Sequence, residues 1–192
     1  MKYLLRIIPL FIFAAIISSC SDQVTGINSS QDSAGLTKNA LLVPGELSPE
    51  EAAGLIYMRQ EEKVARDVYI VLGQQWNLNI FTKIASSEQK HMDAVGRLIV
   101  KYELEDPVVN DEVGVFADPV FQQMYNDLVL LGLQSIQDAM TTGQTIEIQD
   151  IDDLEAQLAF VDNPDIIKVY SNLLAGSQNH LSAFSAHSLP VY

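Results

Sequence analysis

A chain of 192 residues with 48% hydrophobic content is long enough to fold as one domain around a sizeable core. Its 25 acidic residues against 11 basic ones leave a formal charge of -14, which excludes a nucleic-acid partner, because phosphate binding needs clustered Lys and Arg. The single cysteine excludes an internal disulfide.

That cysteine falls at the end of an N-terminal targeting pattern. Lys2 and Arg6 flank a short cationic start, Ile7 to Ile17 is an apolar run too short to span a bilayer comfortably, and Ile17-Ser18-Ser19-Cys20 follows. The run resembles a bacterial lipobox. It implies a lipoprotein signal peptide over residues 1–19, cleavage before Cys20 and lipidation of its thiol. The expected location is the cell envelope, on the extracytoplasmic side (periplasmic or cell surface), with the membrane as a partner through the anchor. Residues 20–46 are rich in Ser, Asp, Gly, Asn and Gln without an apolar period, so they are expected to form a flexible tether. The folded domain is expected over residues 47–187.

It opens with Ser48-Pro49-Glu50-Glu51, a capping-box start with proline at the first helical position. A first helix to about Gln75 would turn Leu55, Met58, Glu62, Ala65, Tyr69 and Leu72 inward, while a competing register through Tyr57, Glu61, Val64 and Val68 would bury Glu61 instead. Lys63 and Arg66 read as surface residues. The short connection at Trp76–Asn79 makes the next helix an antiparallel neighbour. That helix, about Ile80 to Leu104, has Phe81, Ile84, Glu88, His91, Val95, Leu98 and Tyr102 on its apolar stripe. Glu88 and His91 are three apart and therefore share a face.

Residues 105–118 contain Pro, Gly, Asn and Asp without a period and read as a long crossover. A short helix from Pro119 to Leu131 follows, with Phe121, Met124, Leu128 and Leu131 as its apolar face and Gly132 ending it. Ser135 caps the next helix, whose inward stripe is Ile136, Met140, Gly143, Glu147, Asp150, Leu154 and Val161. Gly143 costs about 1 kcal/mol relative to alanine inside a helix, so a close helix crossing or a local irregularity is expected there. Asn163-Pro164 starts the last helix, with Ile166, Tyr170, Leu173, Ser177, His180, Phe184 and His187 inward and a fraying tail beyond.

Four long helices thus bring Glu62, Glu88 with His91, Glu147 with Asp150, and Ser177 with His180 to the middle of their apolar stripes. Buried carboxylates in that number need neutralising, since each unpaired ion costs several kcal/mol. Mixed carboxylate and imidazole donors suit iron, manganese or zinc, and two-metal bundles draw Glu and Glu-x-x-His ligands from their four helices. His187 reads as a bystander, Tyr69 and Tyr170 as core packing.

Glu62-Lys63-Val64-Ala65-Arg66-Asp67-Val68-Tyr69 resembles the E-x-x-A-R-x-x-Y run of the first helix in rubrerythrins. Glu88-Gln89-Lys90-His91 and the Glu147/Asp150 pair resemble the second- and third-helix motifs of that family, which favours Glu62 over Glu61. From Leu47 to Phe184 the chain is similar to an uncharacterised bacterial and archaeal ferritin-like family, which usually has a third acid where Gln60 stands. The runs Tyr57–Tyr69, Ile84–Met92, Ile146–Leu154 and Gly176–Leu181 carry this resemblance.

The resemblance implies an all-α fold, a ferritin-like antiparallel four-helix bundle with a long crossover containing a short extra helix. It implies a metal site of Glu62, Glu88, His91, Glu147, Asp150 and His180 holding two iron ions, or manganese or zinc, and reacting with oxygen or peroxide as a di-iron oxidase or peroxidase would. Glu147 or Glu62 would bridge the ions, and His91 and His180 would be terminal ligands. Ser177 stands where a second Glu-x-x-His would have its glutamate, and there is no Cys-x-x-Cys rubredoxin motif. A metal-sequestering lipoprotein, a metal-free interaction module and a homodimeric state all remain open.

Overall fold

The computed structural model describes residues 47–187 of the chain. The expected signal peptide, the lipidation site at Cys20, the tether to residue 46 and the tail after His187 lie outside the described residues. Within them the domain is all-helical: α1 (Pro49–Trp76), α2 (Asn79–Lys101), α3 (Pro119–Gly132), α4 (Ile136–Leu158) and α5 (Pro164–His187), with no strand among the described residues. None of these helices is long and apolar enough to cross a membrane.

The starts of the helices follow from their capping chemistry. Ser48 Oγ accepts from the Glu51 amide at 3.0 Å while Glu51 Oε2 accepts from the Ser48 amide at 3.0 Å, completing the capping box. The other oxygen of Glu51 accepts from the amides of Asp162 and Asn163 at 3.3 and 3.0 Å, so one buried carboxylate joins the start of α1 to the start of α5. Asp118 and Ser135 cap α3 and α4 through Val120 N and Asp138 N. α1 stops where Asn77 adopts a left-handed conformation (φ 51°), which asparagine tolerates better than most side chains.

The two-residue link after α1 folds α2 back along it. Arg66 meets Gln89 and Arg59 meets the Met92 carbonyl, a pairing whose numbers fall on one helix as they rise on the other, so the two run antiparallel. α4 and α5 form a second antiparallel pair: Phe184 lies against Gly143, His180 near Glu147 and Ser177 against Asp150. α3 packs on α1 and α4, with Trp76 Nε1 donating to the Gly132 carbonyl at 3.0 Å. The expected close crossing at Gly143 is present: a Cβ there would come within 2.7 Å of the Phe184 ring.

Some boundaries and faces differ from the sequence expectation. α2 ends at Lys101 and not at Leu104, because Glu103 turns to φ 56°. Leu131 and Ile136 were expected inward but are 43% and 44% exposed, since the α3–α4 turn faces outward after Gly132 has docked on Leu72.

Two apolar clusters divide the interior. One gathers Val64, Tyr69, Leu72, Phe81, Ile84, Met140, Ile146 and Phe184, with ring centroids of Tyr69, Phe81 and Phe184 5.3–6.2 Å apart. The other gathers Leu55, Met58, Val95, Leu98, Leu154, Ile166, Tyr170 and Leu173. Full burial of such a side chain contributes about 1.5–3 kcal/mol, so each cluster supplies ample stabilisation on its own side. Between them, at the same level of α1, α2, α4 and α5, lies a polar belt.

Candidate metal centre

The belt collects the residues picked out by helical spacing. Glu62, Glu88, Glu147, Asp150, Ser177 and His180 are all buried, and the His91 side chain is 12% exposed. Two clusters of donor atoms form within it, Glu62 with Glu88 and His91, and Glu88 with Glu147 and His180, the ligand atoms of each lying within 4.8 Å of one another. Glu88 belongs to both. Its Oε2 is 2.7 Å from His91 Nδ1 and its Oε1 is 2.8 Å from His180 Nδ1, while the two rings stack with centroids 5.5 Å apart.

These close approaches are not hydrogen bonds in direction. His91 Nδ1, His180 Nδ1, Glu88 Oε1 and Glu62 Oε1 are all buried without a hydrogen-bond partner. Leaving such atoms orphaned costs about 1–3 kcal/mol each, more for a charged group. The outer contacts are longer, 3.4 Å from His91 Nδ1 to Glu62 Oε2 and 3.5 Å from His180 Nδ1 to Glu147 Oε2. Two ligands held about 2.1 Å from one ion stand roughly 3.0 Å apart at a right angle and about 3.4 Å apart at a tetrahedral angle. The outer contacts have the spacing of neighbouring ligands of one cation, while the inner ones, at 2.7 and 2.8 Å, have hydrogen-bond length without hydrogen-bond direction.

The electrostatics have the same imbalance. Burial raises Glu62 well above the ordinary carboxylate range, with Asp150, Glu88 and Glu147 adding to the effect. Burial also lifts Glu147 and Asp150, each to about 7. For Glu88 burial acts upward too, but the two imidazoles outweigh it and hold the group down at about 2. Burial would lower the histidines. Instead the facing carboxylates raise both, His180 to about 9.

Supporting contacts fix the donors in place. Tyr69, expected only to pack, donates its hydroxyl to Glu147 Oε1 at 2.6 Å. The Ser177 hydroxyl makes a short hydrogen bond to Asp150 Oδ2 and also reaches the Leu173 carbonyl. Asp150 lies in the belt but in neither three-residue cluster, and its Oδ1 has no hydrogen bond. Gly176 gives His91 its room, since a Cβ there would fall 2.6 Å from the ring. His187 is exposed, with its Nδ1 2.7 Å from the Ala183 carbonyl.

Three expectations for α1 need correction. Glu61 and Glu62 are both buried, at 5% and 1% exposure, so the competing registers were not exclusive. Lys63 and Arg66 are not surface residues: they are 1% and 4% exposed. Lys63 Nζ donates to Asp67 Oδ2 at 2.5 Å and to the Glu112 carbonyl at 2.9 Å, and Arg66 Nε donates to Asp67 Oδ1 at 2.8 Å. The physical reason is that the 102–118 segment covers the side of α1 that would otherwise meet solvent, so residues 60–69 are buried all round. The hint available in the sequence was the unusual density of charge between two apolar registers.

The family model of an uncharacterized protein domain, DUF2202, matches residues 51–189. An uncharacterized protein of Methanocaldococcus jannaschii, MJ0754, is 54% identical over 138 residues, which cover 72% of this chain and 75% of that protein. The crystal structure of the hypothetical protein MJ0754 from Methanococcus jannaschii superposes with a TM-score of 0.71 at 54% identity, covering 72% of this chain and 79% of the solved one.

Proposed function

We propose, for a chain that belongs to the DUF2202 family of uncharacterized protein domains, that the buried belt holds two metal ions within a four-helix bundle of the ferritin type, α3 being an insertion in its crossover. The observation that carries this reading is the position of Glu88, shared between two histidine-containing donor clusters in which His91 Nδ1, His180 Nδ1, Glu62 Oε1 and Glu88 Oε1 are buried without hydrogen bonds. The motifs Glu62–Tyr69 and Glu88–His91, similar to those of rubrerythrins, support the ferritin-like assignment.

Glu62, Glu88 and His91 would hold one ion, and Glu88, Glu147 and His180 the other. In this reading Glu88, the carboxylate common to both clusters, would be shared between the ions, in place of the Glu147 or Glu62 that the resemblance implies. Carboxylate and imidazole donors favour iron, with manganese or zinc accepted by the same set. Bound iron would supply the electrons for reducing dioxygen or peroxide. The chain's own residues set the conditions around it. Glu88 remains ionised through neutral pH, Tyr69 orients Glu147 by donating to one of its oxygens, and the Tyr69–Phe81–Phe184 wall keeps water from that side. The lipobox-like run ending at Cys20 supports anchoring at the extracytoplasmic face of the envelope.

Anaerobic loading with iron(II), followed by peroxide or oxygen, tests the reading. Oxidation of many equivalents of iron per chain is the expected result. Oxidation that stops at the bound equivalents would favour metal sequestration, a second reading supported by Ser177, which leaves α5 with a histidine but no carboxylate in the belt. Binding of less than one ion per chain would contradict both.

A further inference from the structure

The metal reading leaves one buried acid without a task. Glu61 is 5% exposed, and its Oε2 has no hydrogen-bond partner. Tyr57, one turn before it on α1, reaches Asp153 on α4, and Tyr69, two turns after it, reaches Glu147, so this register sets Glu61 opposite Asp150 and Asp153, which are three apart on α4. Asp153 is half-buried, and its Oδ2 is fixed by two donors, Tyr57 Oη at 3.1 Å and Gln149 Nε2 at 2.8 Å. Asp150 in turn lies near Glu62, and the Oδ1 of one and the Oε1 of the other are also buried without hydrogen bonds. A row of acids therefore runs from the partly exposed Asp153 through Glu61 to Asp150 and Glu62.

From this row we infer that Asp153 and Glu61 form a path by which divalent cations pass from solvent to the histidine-containing belt; the inference rests on the metal reading above. Two carboxyl groups facing each other, one of them dry, must share either a proton or a cation. No nearby cationic side chain serves, because Lys63 and Arg66 are engaged by Asp67. Oxygen-only donors suit a hydrated divalent ion that is still exchanging its waters. Among the described residues only the two histidine-containing clusters bring three ligand atoms within reach of each other, so the row can hold a cation by pairs of acids and then release it inward. That is the behaviour of a conduit, and it would complement the general attraction of an acidic protein for cations.

Cobalt(II) uptake by the full chain, followed through its ligand-field absorbance in a stopped-flow instrument, is the test. A residue on the path alone changes arrival and departure equally, so Glu61→Gln should slow both by tenfold or more while the dissociation constant and stoichiometry stay at wild-type values. Asp153→Asn should act in the same direction by a smaller factor. Wild-type rates in both variants would overturn the inference and leave the metal site standing. Weaker equilibrium binding in Glu61→Gln would overturn it by making Glu61 a ligand. A wild-type chain that takes up no cobalt would remove the metal site and the path together.

Discussion

Two buried charge clusters share α1, and they are balanced in opposite ways. On one side Lys63 and Arg66 surround Asp67, which accepts from both and from the Gly114 amide, and Arg66 also pairs with Asp111 at 2.8 Å. Two cations and two carboxylates close that account internally. On the other side Glu61, Glu62, Glu88, Glu147 and Asp150 are buried, and among the described residues their only ion pairs come from His91 and His180. The first cluster is complete as protein, and it fastens the 102–118 segment to the helix. The second is complete only if protons or metal ions join it. Burial alone therefore does not mark a site; a charge deficit under burial does.

The largest expected effect breaks the balanced cluster. Asp67→Asn leaves Lys63 and Arg66 buried without their shared partner and should cost about 3–5 kcal/mol, read from the midpoint of chemical denaturation. Removing a carboxylate from the other cluster should act in the opposite direction. In metal-free protein Glu62→Gln is expected to be neutral or stabilising, because it removes a buried acid that the structure leaves uncompensated. With metal at a hundred times its dissociation constant, the wild type should gain about 2.7 kcal/mol, and His91→Ala should lose much of that gain in thermal denaturation with and without chelator.

Titration sharpens the same contrast. Glu147 and Asp150 are raised to about 7 in the fold, so their protonated forms are favoured there. Their contribution to stability is complete below the unfolded values near 4 and is lost as pH rises through about 7. His180, raised to about 9, contributes fully below about 6.5 and is lost as pH climbs through 9. Metal-free protein should therefore lose thermal stability from pH 5 to pH 9. Metal affinity should rise over pH 5 to 7, since ion binding displaces those protons. A thermal midpoint of the metal-free chain that rises across this range would contradict the charge deficit.

The smallest effect concerns shape. Gly176→Ala normally would gain up to about 1 kcal/mol in helix propensity, but here the new methyl meets His91 at 2.6 Å. Little or no stabilisation and a several-fold weaker metal affinity are expected, measured by denaturation and by calorimetric titration.

Much of this was legible in the sequence because α2, α4 and α5 each bury a single stripe. The spacing of Glu88 with His91, of Glu147 with Asp150 and of Ser177 with His180 reports their inward faces directly, and the caps at Ser48, Asp118 and Ser135 mark helix starts. α1 defeats that logic. It packs against α2, α3 and α4 and is overlaid by the 102–118 segment, so periodicity could not separate Glu61 from Glu62 or reveal that Lys63 and Arg66 are interior. The bond between Ser177 and Asp150 was hidden for a different reason: it joins two helices, and a single stripe contains no information about its neighbour's register.

The charge deficit between the two clusters comes down to a count of ions. Calorimetric titration of metal-free protein with iron(II) under anaerobic conditions, checked by elemental analysis, should give two ions per wild-type chain and a lower count in both His91→Ala and His180→Ala. A wild-type chain that binds no ion, with a thermal midpoint indifferent to chelator, would contradict the account.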